Sequence, residues 1–377
     1  MELIKKIKAF RHQMWIEIHR KMPIKNNKII MWSDSFKHYG CSPKYITEYL
    51  LENYPLKYDI VWVFDLNTEI PNDLPKGIRV VRYFSMGYLK ELHTAKFVIC
   101  NMRTGDAYMW HKRPDQIYIQ TWHSSLRLKR IEGDAIDYIA PEYIHSCIED
   151  SQKIDLLLSG CKFSTNIFKR AFWYDGEIYE SGTPRCDCLL NDTSETKRKV
   201  FMHYGIEESN KLVLYAPTFR SNKPSDFLGM DFEHLKHTLG EDWVVGARLH
   251  PNVLASCVPE GAISMSKYPD MQELIAAADV LITDFSSCMF DMAIAKKTCV
   301  LYAPDLDEYL ENERGLYFDI MELPFPIAKS MDELCDILSG FNSEDYYAKL
   351  EAFMGSIGSF EDGHASMRVC DYIQNHM

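Results

Sequence analysis

The chain has 377 residues, enough for two domains of ordinary size, and its 46% hydrophobic and 13% aromatic content excludes a disordered polypeptide. With 42 Lys and Arg against 54 Asp and Glu, the formal net charge is −12, which argues against a general nucleic-acid binder and leaves phosphate recognition to a few local basic residues. Eleven cysteines, scattered and mostly set in apolar stretches such as those around Cys100, Cys257 and Cys299, read as reduced core thiols rather than a disulfide framework.

Residues 1–28 carry the pattern of a basic amphipathic helix. Lys5, Lys6, Lys8, Arg11, Arg20, Lys21, Lys25 and Lys28 outnumber Glu2 and Glu17, while Leu3, Ile4, Ile7, Phe10, Met14, Trp15 and Ile18 supply an apolar face. Two readings are open. The helix lies on an anionic leaflet, each basic residue contributing on the order of 1 kcal/mol, or it is a solvated first helix packed on its own domain. Charges interrupt the apolar run and no small-residue cleavage site follows, so the segment is not a secretory signal. No stretch elsewhere reaches the ~18 to 20 uncharged apolar residues that span a bilayer. The expectation is a peripheral protein at the cytoplasmic face of the cell membrane.

Residues 29–190 alternate strand and helix patterns. Strands are predicted at Lys28 to Trp32, Asp59 to Phe64, Ile78 to Arg82, Lys96 to Cys100, Gln116 to Thr121, Asp155 to Leu158 and Glu177 to Glu180. Helices are predicted at Pro43 to Asn53, Ser85 to Ala95, Pro141 to Ile154 and Ser164 to Phe172. Alternating βα units make a parallel, doubly wound sheet. The turn-rich segments Ser181 to Asp187 and Asn191 to Glu195 mark a domain boundary, after which the rhythm restarts in residues 191–360. There strands at Leu212 to Ala216, Trp243 to Leu249, Val280 to Thr283 and Cys299 to Tyr302 alternate with helices at Thr196 to Tyr204, Phe232 to Leu239, Met271 to Ala278 and Met289 to Lys296. The fold class is α/β, two Rossmann-like domains of the kind that face a central cleft in many group-transfer enzymes. Beyond Ser330 the pattern is helical, and residues 361–377 are expected to cross back to the first domain.

Ligands in such sheets bind beyond the carboxyl ends of the strands. Arg248 and His250 follow one apolar strand, and Asp284, Ser286 and Ser287 follow another. One of the two serines is expected to cap the next helix, whose free N–H groups make an anion site. Thr218 and Arg220 follow a third strand of the same half. Arginine forks bind phosphate oxygens bidentately, and this convergence suits a pyrophosphate. In the first domain Trp122 and His123 end a strand and lead into Ser124, Ser125, Arg127 and Lys129. A neutral imidazole there accepts a proton from a hydroxyl. Asp106, His111, Asp134 and Asp137 are candidates to orient it. The sequence has no D-x-D at a strand end, Asp305-Leu306-Asp307 reads as a turn before a helix, and Cys186 and Cys188 lack partners at zinc spacing, so neither a metal site nor a cofactor is expected.

In this order the pieces resemble a family, the CDP-glycerol glycerophosphotransferases of teichoic acid and capsule synthesis. The matching residues are Trp122-His123 with Leu128-Lys129, Gly182-Thr183-Pro184-Arg185 with Asp187, Tyr215 to Arg220, Arg248 with His250-Pro251, and Asp284 to Ser287. Further along they are Tyr302 to Asp305, Arg314-Gly315 with Asp319, and Asp362 to Ser366 with Arg368. The resemblance implies a GT-B fold with the acceptor on the first domain and a CDP-activated polyol on the second, and it adds Arg185 and Arg314 to the donor set. It implies catalysis by His123 as base, with His250 on the donor phosphates. The reaction would pass glycerol phosphate or ribitol phosphate to a lipid-linked or polymeric acceptor and release CMP. A nucleotide-sugar glycosyltransferase of the same fold is the alternative. Family members usually carry His-Gly-Thr-Pro where this chain has His123-Ser124-Ser125, and the lost glycine is expected to reshape the acceptor loop.

Overall fold

The computed structural model describes residues 13–104, 110–218, 229–249, 261–312 and 315–377. The chain forms two compact units. The first holds the chain up to His123 with Ile131–Asp187 and Phe360–Met377, and the second holds Ser124–Arg130 and Cys188–Ser359.

The first unit is built on a parallel seven-stranded sheet of β1 (Lys25–Trp32), β2 (Asp59–Phe64), β3 (Ile78–Arg82), β4 (Ala95–Cys100), β5 (Ile117–Gln120), β6 (Leu156–Leu158) and β7 (Glu177–Tyr179). Their order is β3-β2-β1-β4-β5-β6-β7, so the direction of winding reverses between β1 and β4. The central strands IIMW, IVWVF and FVIC are almost wholly buried, as strands covered on both faces must be. Helices α1 (13–20), α2 (Cys41–Asn53), α3 (Met86–Thr94), α4 (Pro141–Ser151) and α5 (Lys162–Ala171) connect or cover them. Ser85 starts α3 by accepting the Tyr88 N–H. At the amino-terminal edge of the sheet, the buried Lys28 ammonium donates to Glu91 and to Thr94 of α3, and Arg79 bridges Asp59 and Glu91.

Helix α1 turns inward a different face from the one that the packed-helix reading expects. Ile16 and His19 are buried, while Met14 and Ile18 remain 44% and 41% exposed. The rest of the predicted amphipathic stretch lies outside the described residues.

The second unit carries a parallel six-stranded sheet, β8 (Lys211–Tyr215), β9 (Trp243–Ala247), β10 (Ile263–Ser264), β11 (Val280–Thr283), β12 (Thr298–Tyr302) and β13 (Ile327–Ala328), in the order β10-β9-β8-β11-β12-β13. Its reversal falls between β8 and β11. Helix α6 (Asp187–Leu190) stands at the border in sequence. It is followed by α7 (Ser194–Tyr204), α8 (Phe232–Leu239), α9 (Met271–Ala277), α10 (Cys288–Ile294), α11 (Leu306–Asn312), α12 (Met331–Ser339) and α13 (Ser343–Ser356). Val213, Tyr215, Phe232, Val245, Ile282, Val300 and Leu334 form one core. Strands β10 and β13 were not expected: at two residues each they are too short to carry a period-two pattern.

Helix α14 (Ala365–Asn375) completes the first unit, adding Val369, Cys370 and Ile373 to the core of Ile29, Met31, Trp62 and Phe97. Two sequence motifs dock it. The Asp187 carboxylate accepts the Ala365 and Ser366 N–H groups, serving as the cap that His364 does not supply, and Arg368 donates to the Ser181 carbonyl. Gly182, at φ +81°, lies where a Cβ would come within 3.2 Å of Ala365 and the Phe360 carbonyl, so the close approach requires glycine.

The seven residues Ser124–Arg130, expected in the first domain, pack in the second unit instead. Lys129 bridges Leu316, Arg130 N–H donates to Gly315, Tyr317 N–H donates to Leu128, and Leu126 and Leu128 are buried.

Candidate active site

His123 stands three residues past β5, at the carboxyl edge of the first sheet, and its ring is exposed. The backbone reaches it through Trp122 at φ +53°, a left-handed conformation that costs a bulky residue roughly 1–3 kcal/mol. Surrounding bonds hold it there. Trp122 N–H donates to Gln120 Oε1 at 2.9 Å and the Thr121 hydroxyl donates to the Trp122 carbonyl at 2.9 Å. Gln120 is itself fixed by donating to the Met102 carbonyl and the Tyr118 hydroxyl. The indole is buried edge-on against Phe172, 4.7 Å between centroids, and Arg103 lies 4.4 Å over the Phe172 ring while pairing with the buried Glu132 and Asp150. The His123 imidazole rests on this platform, 4.2 Å from the indole, with Nδ1 3.4 Å from the Asn101 carbonyl oxygen.

Among the described residues, the hydrogen-bonding contact seen at His123 Nδ1 is the Asn101 backbone carbonyl. Asp134 pairs with Arg170, and His111 precedes β5, at the opposite end of the strand. The left-handed residue is Trp122; neither Ser124 nor Ser125 has a positive φ, so the missing glycine leaves no strain at those two positions. Ser124, Ser125, Arg127 and Lys129 belong to the second unit. There the Lys129 ammonium lies 5.2 Å from the Tyr309 ring centre, and Tyr309 stacks on Phe285 at 3.6 Å, directly before Ser286. Arg127 is buried and donates to the Ser124 carbonyl.

At the carboxyl edge of the second sheet, Asp284 is completely buried. Its Oδ1 accepts the Thr218 N–H at 2.8 Å, the Thr218 hydroxyl at 2.7 Å and the Phe285 N–H at 2.6 Å, tying the loops after β8 and β11 together across the winding reversal. Thr218 and Asp284 thus shape the strand ends, with the hydroxyl proton of Thr218 committed to the carboxylate. Ser287 holds the cap position of α10 without a side-chain bond to the helix, and Ser286 Oγ accepts the Cys288 N–H at 3.5 Å. Arg248 directs one guanidinium nitrogen to the Tyr268 carbonyl at 2.6 Å and the Met265 carbonyl at 3.4 Å, securing the turn beside β9, and burial lowers its pKa. Arg185 lies in the first unit, beside Cys41 at the start of α2; burial pushes that thiol up to about 11 despite Arg185. Arg220, His250, Arg314 and Asp106 lie outside the described residues. Among the described residues, no group of three or more metal-ligating side chains is gathered.

Sequence reading overlooked Asp34 and Asn101. They follow the apolar strands β1 and β4, the same strand-end signal that pointed to His123.

Two Rossmann-like units with polar side chains gathered at their carboxyl edges define an α/β protein of GT-B type, as in the wall teichoic acid polymerase TagF, which superposes with a TM-score of 0.86 at 31% identity over 99% of this chain and 95% of that one. The CDP-Glycerol:Poly(glycerophosphate) glycerophosphotransferase model matches residues 14–375, and the chain belongs to that family. It is 31% identical to the teichoic acid glycerol-phosphate transferase of Staphylococcus aureus (strain NCTC 8325 / PS 47), covering 97% of this chain and 98% of that protein. It is 32% identical to the teichoic acid poly(glycerol phosphate) polymerase of Bacillus subtilis (strain 168), over 98% of this chain; the chain spans about half, 52%, of that relative's length.

Proposed function

We propose that the protein transfers glycerol phosphate or ribitol phosphate from a CDP-polyol to a hydroxyl of a lipid-linked or polymeric cell-wall acceptor. The acceptor oxygen attacks the phosphorus that carries the polyol, His123 takes the hydroxyl proton, and the bond to the bridging oxygen breaks with its electron pair leaving on CMP. The observation that carries this reading is an exposed imidazole held at a sheet's carboxyl edge in a chain of this family. Ser286, Ser287 and Arg248, with Arg220, His250 and Arg314 in the sequence around them, supply the charge and hydrogen bonding that phosphoryl transfer depends on. The CDP-polyol is consumed as substrate, and we assign no cofactor.

We assign α1 and the basic residues ahead of it to a membrane surface at the cytoplasmic face. The exposed Met14 and Ile18, one helical turn apart, support this. No helix among the described residues is long and apolar enough to cross a membrane.

The test is CMP release from CDP-glycerol and CDP-ribitol with a lipid-linked acceptor. One donor is expected to react, and His123→Ala is expected to lower kcat by about 10²- to 10⁴-fold. Release of UDP or GDP from a nucleotide sugar, with neither CDP-polyol used, would replace this reading with the glycosyltransferase one. Substituting serine for Met14 and Ile18 together is expected to weaken sedimentation with phosphatidylglycerol vesicles about 10-fold; unchanged sedimentation removes the membrane assignment.

A further inference from the structure

We infer that Asp34 and Asn101 form a positioning pair that sets which nitrogen of His123 carries the lone pair that takes a proton. The inference rests on the reading of His123 as the base.

Strands β1 and β4 are the neighbours at which the first sheet reverses its winding, and each ends in a loop that carries one member of the pair. After β1 the backbone does something unusual: Asp34, Ser35 and Phe36 have φ of +46°, +55° and +70°, three consecutive left-handed residues with no glycine among them. Each costs of order 1–3 kcal/mol and persists only where its surroundings over-determine it. Here they do. Phe36 is buried against Tyr83, 4.1 Å between centroids, and against Trp32, while its carbonyl accepts the Asp65 N–H.

The strained turn aims two groups of Asp34 at one amide. The Asp34 N–H donates to Asn101 Oδ1 at 2.9 Å, and Asn101 Nδ2 donates to Asp34 Oδ1 at 2.8 Å. Asn101 is completely buried, and this two-bond ring fixes the residue whose own carbonyl oxygen lies 3.4 Å from His123 Nδ1. A carbonyl only accepts, so the contact requires the proton on Nδ1. In the neutral imidazole the lone pair is then on Nε2. A carboxylate at position 101 would face Asp34 as a like charge, so the pair needs an amide on at least one side.

The test combines nitrogen-15 NMR of histidine-labelled protein with CMP-release kinetics. The His123 signal is identified by its loss in His123→Ala. Wild type is expected to hold the Nδ1-protonated tautomer. Asn101→Asp is expected to mix the tautomers and lower kcat by about 10- to 100-fold, with the donor KM within about 2-fold. Asp34→Asn combined with Asn101→Asp rebuilds both bonds with one side-chain proton reversed, and is expected to restore the tautomer and bring kcat to within about threefold of wild type. If Asn101→Asp leaves tautomer and kcat unchanged, or the combined variant does no better than Asn101→Asp, the pair does not position His123. If Asn101→Asp does not fold, Asp34→Ala takes its place, with mixed tautomers supporting the pair and an unchanged tautomer overturning it. A tautomer held in wild type and lost in the variant, in a protein that releases no CMP, would leave the pair standing and remove the base.

Discussion

The two sheets solve the same problem at their winding reversals by different means. In the first unit the loops after β1 and β4 are clasped by Asp34 and Asn101 through a turn of three left-handed residues; in the second the loops after β8 and β11 are clasped by Asp284 and Thr218, neither of which has a positive φ. The second clasp is a single carboxylate serving three donors in full burial. The first exchanges two bonds and holds strain in the backbone beside an exposed histidine. A rigid frame and a strained one at equivalent positions suggest a division of labour: one edge holds its shape for a ligand, the other aims a side chain.

Removing the unstrained clasp is expected to have the largest effect. Asp284→Ala orphans the Thr218 and Phe285 N–H groups and is expected to cost about 4 kcal/mol of unfolding free energy by urea titration, whereas Asp284→Asn, which keeps an acceptor oxygen, costs about half as much. Equal losses would mean that charge, not acceptor geometry, holds the second edge.

The contrast extends to the opposite edges, where the first unit buries the Lys28–Glu91 pair and the second sets Lys297 against the Ala276 and Ala278 carbonyls. Burial works to raise the Glu91 pKa, but hydrogen bonds from Arg79 and Lys28 outweigh it and bring it down to about 2. A carboxylate depressed in the folded state contributes stability that is fully present above its unfolded pKa and is lost as pH falls toward the folded one. Glu91→Gln is therefore expected to cost about 3 kcal/mol at pH 7, with the difference from wild type shrinking between roughly pH 4.5 and 2. A difference that does not change over this window would mean that the pair contributes no charge-dependent stability.

The smallest effect bears most directly on the strain. Ser35→Gly relieves a left-handed residue and is expected to raise stability by about 0.5–1 kcal/mol, while Ser286→Gly, at a negative φ, lowers it by a similar amount. Destabilisation by both would show that the turn after β1 is not strained.

Much of this was legible in the sequence. Apolar runs marked the central strands, and polar residues directly after them marked His123, Asp284 and Ser286, because a buried parallel sheet leaves only its ends for chemistry. The Asp34–Asn101 pair was hidden because it depends on strand order: only once β1 and β4 are neighbours do two ordinary strand-end residues meet. Ser124–Arg130 read as part of the first domain because its partner, the stretch Gly315 to Tyr317, lies far along the chain. Arg185 read as a donor-side residue and Asp187 as part of the same family motif. In the fold Asp187 caps α14 and Arg185 lies beside Cys41, contacts made by segments distant in sequence.

The first unit is a discontinuous assembly. Its sheet is laid down early, yet the helix that carries Val369, Cys370 and Ile373 into its core is read by the ribosome only after all of residues 188–359. The second unit likewise borrows Ser124–Arg130 from within the first. Neither unit is therefore one uninterrupted segment, and the last residues of the second unit are made before those that complete the first. A chain stalled in translation before α14 carries the His123 strand end while the core of the first unit still lacks Val369, Cys370 and Ile373.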